Sequence, residues 1–432
     1  MKTARFCTLL AIMVLVVFTG KVRGEEVYDE NLRFVPGFQL QGGRIGTGNL
    51  RLLAGAGLQA EYSDNINFSS GYATDPNGSI RKDWIGHVLS SVYLDKVFEG
   101  SGGLRFGYEG DWAFYQDYGA YDWKNNLGRF DLDYFGTGGL IARIRSSAAL
   151  LEDVYGNENQ YNLGVPTKRS VFDTEARVGF EFARRFRLML LGDYFKQEYD
   201  EMVDFTQNWD EWSGGAGAEV RVAEESWLFL RYGYGERQYA DQLFGVTAAN
   251  IADYDYQRVT AGVGWDLGAE FQGEAGFGYQ WLSFTNTLDA GGLPFQDKNT
   301  WIADATVHYR PAGRPPFEAS ETSVLTVNIW RAFLAEGADT RDYYIESGIS
   351  GIVRSEIFTN ALLRWGLDYY LQEYENADKE KAGNGKAAIE LMYKIQQWLA
   401  IGVGTDWQKK NSNVSVNDYE VLRFFFTLKG AM

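Results

Sequence analysis

The sequence predicts an all-β fold: a transmembrane, antiparallel, up-and-down β-barrel of about 18 strands, with a cleaved N-terminal signal peptide. Three observations predict the barrel. Apolar and polar residues alternate along many segments, the segments are long, and their connections alternate between long and short. A tilted strand needs about ten residues to cross the hydrocarbon layer, whereas strands of soluble sheets usually have about five or six.

The alternation is clear between Leu104 and Tyr115. Large apolar side chains occupy the even positions, whereas Arg105, Glu109 and Asp111 occupy odd positions. Successive side chains of a strand point to opposite faces, so one face of this segment is apolar and the other is charged. An apolar face toward lipid and a charged face toward water fit the wall of a membrane barrel.

Eighteen segments show this pattern, although any count from 16 to 20 is compatible with the sequence. The predicted strands are 50–62, 84–94, 103–115, 126–135, 140–151, 169–182, 186–197, 212–222, 227–238, 256–267, 271–284, 300–310, 322–332, 343–353, 358–372, 385–395, 398–408 and 419–429. Long polar loops follow odd strands and tight turns follow even strands. Short turns are typical of the periplasmic side of outer-membrane barrels, so both ends of the barrel segment are expected there.

Two segments precede the predicted barrel, which covers 50–432. Residues 1–24 have a basic start and a short apolar run, which predicts a secretory signal peptide. Residues 25–49 are polar and Gly-rich, and they are expected to form either a periplasmic tail or a plug inside the barrel. The sole cysteine, Cys7, lies in the signal segment, so the mature chain is expected to have no disulfide.

The charge of the chain excludes one class of partner. The formal charge is −17, and it becomes −21 when the four basic residues of 1–24 are removed. Nucleic acid binding requires clustered Lys and Arg, so nucleic acid is not expected as a partner. No apolar stretch of about 18 residues follows the signal segment, so no spanning helix is predicted.

The charged face of the strands is expected to line the lumen. The candidate lumen-lining residues are Arg51, Glu61, Arg105, Glu109, Asp111, Arg129, Asp131, Arg143, Arg145, Glu175, Arg177, Arg187, Asp193, Glu219, Arg221, Arg231, Asp304, Arg310, Arg364, Asp368, Glu390 and Arg423, with Asp133 beside them. Arg opposite Asp or Glu on neighbouring strands can form cross-strand pairs. These residues either fix the strand register and solubilise the wall, or form a selectivity ladder for a charged solute or glycan.

Tryptophans fall near predicted strand ends and indicate two interfacial girdles. The group at the loop side contains Trp84, Trp112, Trp123, Trp212, Trp281, Trp301 and Trp407, and the group at the turn side contains Trp227, Trp265 and Trp398.

Residues for catalysis are scarce. His87 and His308 are the two histidines, and no haem-attachment, P-loop or zinc-protease motif is present. Neither a cofactor nor a metal is expected, and the chain is not expected to be an enzyme. The segments 64–67 and 75–78 are rich in Asp and Asn, but they lack the spacing of a calcium loop and are interpreted as turns.

The segment Gly57-Leu58-Gln59-Ala60-Glu61-Tyr62-Ser63-Asp64-Asn65-Ile66 resembles the opening strand and loop of the outer-membrane β-barrel porin 2 family. The aromatic-rich segment 114–118 and the polar segment 412–419 are similar in style to that family. The resemblance implies an outer-membrane pore linked to exopolysaccharide secretion. It also implies that the barrel-assembly machinery recognises the final strand, where Leu422, Phe424, Phe426 and Leu428 alternate.

Three functional hypotheses follow for a protein of a Gram-negative-type outer membrane, surrounded by lipid and lipopolysaccharide. The first is a conduit for exported polysaccharide that works with periplasmic polysaccharide-export proteins. Its candidate sugar-stacking residues are Tyr115, Phe195, Phe229, Tyr344 and Tyr370. The second is a general or substrate-specific diffusion porin. The third is a barrel sheath around a multihaem electron conduit.

Overall fold

The computed structural model describes residues 49–72, 78–99, 101–153, 166–200, 208–239, 253–267, 271–285, 295–309, 325–335, 343–358, 360–374, 380–396 and 398–431. These residues form eighteen β-strands. In chain order the strands are β1 (Leu50–Ser63), β2 (Asp83–Phe98), β3 (Gly102–Tyr115), β4 (Trp123–Phe135), β5 (Leu140–Asp153), β6 (Thr167–Phe182), β7 (Phe186–Tyr199), β8 (Trp209–Ala223), β9 (Ser226–Tyr239), β10 (Tyr254–Leu267), β11 (Phe271–Phe284), β12 (Lys298–Tyr309), β13 (Leu325–Ala335), β14 (Tyr343–Phe358), β15 (Ala361–Tyr374), β16 (Lys381–Gln396), β17 (Leu399–Ser412) and β18 (Tyr419–Ala431).

Each strand pairs antiparallel with its neighbours in the chain, and β1 also pairs with β18. That seam runs from Gly55 opposite Ala431 to Ser63 opposite Arg423 and closes the sheet into a barrel. The predicted fold class and strand count are therefore confirmed. All strand ends lie within four residues of the prediction except the end of β14, which continues to Phe358 instead of 353.

Closure follows from the alternating sequence. The outer face carries exposed apolar side chains such as Leu190, which is 66% exposed, and Leu58, which is 58% exposed. An open strand edge in hydrocarbon would leave backbone N–H and C=O groups without partners, so a sheet with this outer face is stable in lipid only as a closed barrel. In the described residues, no helix has the length and apolar composition needed to cross a bilayer.

We call the end of the barrel where odd strands lead into even strands the loop end, and the opposite end the turn end. At the loop end, the seam continues past its last strand pair through backbone and side-chain hydrogen bonds. The backbone N–H of Asp64 donates to the carbonyl of Leu422 over 3.2 Å, and the N–H of Leu422 donates to Asp64 Oδ1 over 2.8 Å. Asn65 Nδ2 donates to the carbonyl of Glu420 over 2.9 Å. The first loop is thus bound to the last strand.

Two predicted segments lie outside the described residues. The signal peptide, 1–24, is one, and all but the last residue of the predicted tail or plug, 25–49, is the other.

Candidate functional site: the interior of the barrel

The inner face of the wall is the face opposite the exposed apolar side chains. In β3 it carries Arg105, Glu109 and Asp111, all buried, whereas Phe106 and Phe114 on the outer face are exposed. The same alternation places every described lumen-lining candidate on the inner face. Only Arg310 of that set lies outside the described residues.

One group of inner charges crosses the seam, and we call it the seam cluster: Glu61, His87, Asp111, Asp406 and Arg423. His87 Nδ1 lies 3.0 Å from Asp111 Oδ1, and His87 Nε2 lies 3.6 Å from Glu61 Oε2. Arg423 Nε lies 2.6 Å from Asp406 Oδ1 and 4.0 Å from Glu61 Oε1. The side chains of Glu61, His87 and Asp111 are at most 2% exposed. The seam cluster is therefore shielded from water.

Other pairs join neighbouring strands of the same half of the wall, and the lumen-lining set supplies most of them. Their closest nitrogen–oxygen distances are 2.8 Å for Arg105 and Asp95, 3.6 Å for Arg129 and Glu109, 2.7 Å for Arg143 and Asp133, and 3.9 Å for Arg364 and Glu390. Lys429 of β18 also lies 3.9 Å from Glu390 of β16, across the intervening strand β17. Opposite charges on adjacent strands can hold the register, which is one of the two roles that the sequence left open for these residues.

A second group of charges lies on β6–β11, and we call this part of the wall the corner. Among the residues whose side chains the structure describes, its inner face carries seven arginines and seven carboxylates: Arg169, Arg177, Arg187, Arg221, Arg231, Arg237 and Arg258, with Asp173, Glu175, Glu181, Asp193, Glu211, Glu219 and Glu274. The two signs balance among these fourteen side chains.

Glu274, on β11, joins strands that are not neighbours. Its carboxylate accepts two hydrogen bonds from Arg231 of β9, over 2.5 and 2.9 Å. Arg177 Nη1, on β6, lies 3.6 Å from the same carboxylate. Five strand-to-strand steps separate β6 from β11 along the sheet. A single ion pair between them means that the wall turns sharply and brings the two strands together.

Glycine on the inner face permits this sharp turn. A Cβ added to Gly262 would lie 2.1 Å from the carbonyl oxygen of Ala275 and 2.5 Å from Cζ of Phe229. A Cβ added to Gly276 would also lie 2.5 Å from Cζ of Phe229. The ring of Phe229 therefore packs directly against the backbone of two glycines, Gly262 and Gly276, where no Cβ intervenes. Glycine is typical of such close approaches and of bends at barrel corners.

Stacked arginines fill the space inside the corner. The guanidinium carbon of Arg187 lies 3.4 Å from the ring centroid of Trp227, near the turn end. Arg231 stacks on Phe229 at 3.9 Å, further along β9. Near the loop end, Arg237 stacks on Trp209 at 3.6 Å. Planar guanidinium groups are well suited to such stacking while their N–H groups bind carboxylates.

Apolar side chains at the loop end form what we call the collar. It consists of three clusters, and every strand residue in them lies within five residues of a loop-end terminus. The clusters are Ile66, Phe68, Ile85, Ala113, Tyr115, Tyr121, Trp123, Tyr419 and Val421; Leu127, Ala149, Leu151, Val171, Phe195, Trp209 and Tyr239; and Tyr254, Tyr256, Leu282 and Phe333. Phe284 packs against the second and third clusters and connects them. Buried charges such as Glu61 and Arg237 lie within the same distance of a loop-end terminus, so the interior at the loop end combines apolar clusters with charged side chains.

The five candidate sugar-stacking residues all lie on the inner face and are buried: Tyr115, Phe195, Phe229, Tyr344 and Tyr370. Their rings already have partners. Phe195 stacks on Trp209 with the ring centroids 4.4 Å apart, and Tyr344 contacts Tyr374 at 4.8 Å. A sugar would meet these rings as parts of packed clusters.

The prediction of two tryptophan girdles is wrong for Trp123 and Trp227. Both point inward and are buried, at 1% and 7% exposure. Trp84 and Trp281 are exposed on the outer face, as a girdle requires. Strand parity could have separated them, because Trp227 has the parity of Arg231 on the same strand. Position near a strand end does not show which face a residue occupies.

Sequence reasoning missed the importance of Glu274, Arg258 and Arg237. Parity assigns all three to the polar face of their strands. It does not show which side chains of other strands they contact. Arg258 Nη2 of β10 lies 3.3 Å from Asp193 Oδ2 of β7, three strands away. These contacts depend on the curvature of the closed wall.

Neither histidine has the surroundings of a nucleophile site. His87 belongs to the seam cluster, and His308 Nδ1 lies 3.1 Å from the hydroxyl of Thr326. Among the described residues, no group of three or more His, Cys, Asp or Glu is arranged to hold a metal. The side chains of Asp64, Asn65 and Asn67 bind backbone groups, as turn residues do. Residues 73–77 lie outside the described residues.

A closed, antiparallel, 18-stranded barrel with an apolar exterior and a charged interior defines a bacterial outer-membrane β-barrel protein. Solved structures of this kind are similar to the chain in fold. The outer membrane protein OpdK from Pseudomonas aeruginosa has 9% identity and a TM-score of 0.38, over 88% of this chain and 99% of that one. OpdO from Pseudomonas aeruginosa has 10% identity and a TM-score of 0.40, over 88% and 97%.

The copper transporter OprC has 10% identity and a TM-score of 0.43, over 90% of this chain and 82% of that one. No protein-family model matches the chain, and no curated protein matches it. The assignment to the class therefore rests on the barrel itself.

Proposed function

We propose that the chain is an outer-membrane pore for hydrophilic solutes and not an enzyme, and that its cargo is an exported polysaccharide. The observation that carries the proposal is the contrast between the two faces of the wall. The outer face is apolar, and the inner face carries charged residues on almost every strand. An 18-stranded barrel is wide enough to enclose an aqueous channel.

Water reaches part of the inner face of the wall. The side chains of Asp193 and Arg143 are 43% and 40% exposed, and those of Arg129 and Glu274 are 34% and 33% exposed. These four charged groups lie on β4, β5, β7 and β11 and face one interior space. A hydrophilic solute in that space would exchange hydrogen bonds with water for hydrogen bonds with the wall.

A glycan suits the chemistry of this wall. Sugar hydroxyls both donate and accept hydrogen bonds, and alternating arginines and carboxylates offer partners of both kinds. Aromatic residues, the residue type on which sugar rings stack, are concentrated in the collar at the loop end, where their rings pack in clusters. The resemblance of the segment 57–66 to the β-barrel porin 2 family supports the same cargo, with periplasmic polysaccharide-export proteins as partners.

A diffusion porin is the second candidate, because the exposed charges of the inner face would serve small solutes equally well. The two candidates differ in the role of the collar, which would bind a sugar chain but would only hinder a small ion. A sheath around a multihaem partner is disfavoured, because the contact between Glu274 and Arg177 narrows the interior.

Planar-bilayer recording of the purified mature chain tests the proposal, alongside a variant that lacks residues 25–49. We expect discrete current steps and reversible block by neutral glucan oligosaccharides, increasing with chain length. Polyethylene glycol of equal hydrodynamic size is the control for block by size alone. Absence of current from both proteins contradicts a pore, and equal block by the two polymers contradicts glycan recognition.

A further inference from the structure

We infer that Glu274 sets the charge selectivity of the pore. Its carboxylate joins Arg177 and Arg231, which come from distant parts of the wall, at the edge of the water-filled space. We call these three residues the bridge. The inference rests on the proposed pore function and identifies a residue that a passing solute meets beside the corner.

The contact of Glu274 with Arg177 has a longer span than the other inner ion pairs of the described residues, of which Arg258 with Asp193 reaches three strands. Arg143 and Asp133 lie on adjacent strands, and they hold the register of one strand pair. Glu274 instead contacts Arg231, two strands away, and Arg177, five strands away. The side chains of β6, β9 and β11 therefore meet at one carboxylate.

The exposed fractions show which side of the bridge faces water. The side chain of Glu274 is 33% exposed, whereas Arg177 and Arg231 are 18% and 13% exposed. Behind the bridge, Phe229 and the stacked Arg231 fill the corner. The carboxylate is thus the exposed part of an otherwise packed cluster, and the open part of the lumen begins beside it.

The charges of the bridge fix the sign of its effect. Glu274 compensates two guanidinium groups, which also pair with Glu175 and Glu219. Replacing Glu274 by glutamine removes one negative charge and leaves both arginines in place. The local potential becomes more positive, which attracts anions and repels cations.

The first experiment measures the reversal potential of Glu274→Gln in a KCl gradient across a planar bilayer. We expect the chloride-to-potassium permeability ratio to rise roughly twofold relative to the wild type, since a charge in a narrow aqueous passage changes local ion concentrations strongly. Glu236→Gln is the matched control, because it removes the same charge from the outer face of β9. The control is expected to keep the wild-type ratio.

A second experiment tests the contact between β6 and β11 by chemical cross-linking, without a measurement of ion current. The sole cysteine of the sequence is Cys7, so Arg177→Cys/Glu274→Cys introduces two thiols into a barrel that has none of its own. A short bifunctional thiol reagent is expected to link them and to change gel mobility after denaturation. Arg177→Cys/Asp406→Cys, which joins β6 to β17, is expected to remain unlinked.

The outcomes separate the two proposals. Wild-type current with an unchanged permeability ratio in Glu274→Gln overturns the role of Glu274 and leaves the pore intact. Failure of the Arg177→Cys/Glu274→Cys pair to cross-link overturns the bridge itself. A wild-type barrel that carries no current overturns the pore and, with it, the selectivity role, whatever the cross-link shows.

Discussion

The seam cluster and the corner use the same chemistry in different surroundings. Both consist of arginines and carboxylates on the inner face. In the seam cluster the side chain of Glu61 is fully buried, and that of Arg423 is 6% exposed. In the corner the carboxylates of Asp193 and Glu274 are 43% and 33% exposed. Identical residue types are therefore buried in one part of the barrel wall and partly exposed in the other.

The seam cluster and the corner differ in the free-energy cost of losing an ion-pair partner. A buried charge without a partner is strongly destabilising, because neither water nor protein solvates it. A charge that water reaches is solvated when its partner is removed. Its ion pair therefore contributes only about 0–1 kcal/mol to the free energy of unfolding. We therefore expect the seam cluster to determine stability and the exposed charges of the corner to determine ion passage.

The largest effect is expected from Arg423→Ala. The substitution leaves Glu61 and Asp406 without the guanidinium that lies between them. Breaking a buried pair typically costs about 3–5 kcal/mol, so the free energy of unfolding should fall by that amount. Urea titration in lipid vesicles measures it.

Lys409→Ala is the control, since Lys409 pairs with Glu420 on the exposed outer side of the same two strands, over 3.1 Å. It should lower the free energy of unfolding by about 0–1 kcal/mol. Equal losses in the two variants would contradict the distinction between buried and exposed pairs.

A smaller effect is expected from Gly262→Ala, which tests the sharp turn of the corner. The new methyl group would lie 2.1 Å from the carbonyl oxygen of Ala275, so the wall has to shift. Overpacking of this kind costs about 1–3 kcal/mol, and urea titration should show that loss.

Gly264→Ala provides the comparison on the same face of the same strand. Its added Cβ would meet only the carbonyl oxygen of Gly273, at 3.9 Å, so the free energy of unfolding should change by no more than about 0.5 kcal/mol. If both substitutions are tolerated equally, the two walls of the corner are not in close contact.

The smallest stability effect is expected from Asp193→Asn. Asp193 accepts a hydrogen bond from Ser213 over 2.7 Å and lies 3.3 Å from Arg258, but water reaches its carboxylate. The free energy of unfolding should fall by less than about 1 kcal/mol, while the permeability ratio shifts toward anions. A large loss of stability without a shift in permeability would place Asp193 with the buried pairs.

The sequence was sufficient to predict the strands, because the period of two is local. Parity alone assigned Arg105, Glu109 and Asp111 to the inner face, and the same rule would have corrected Trp123 and Trp227. The contact of Glu274 with Arg177 could not be predicted, because it depends on the curvature of six consecutive strands. That curvature in turn depends on glycines such as Gly262, which leave room for the ring of Phe229. The sequence does not show that this ring packs against them.

The hydrogen bonds of Asp64 with Leu422 have a consequence for assembly. The first and last strands are the most distant in the chain, so their pairing must overcome the largest entropy of loop closure. Asp64 adds a carboxylate acceptor at the loop end, where the pairing of β1 with β18 stops. It thereby connects the first and last strands at the membrane surface. A chain that lacks this carboxylate would spend more time with its first and last strands apart, and heating in detergent would then unfold it at a lower temperature.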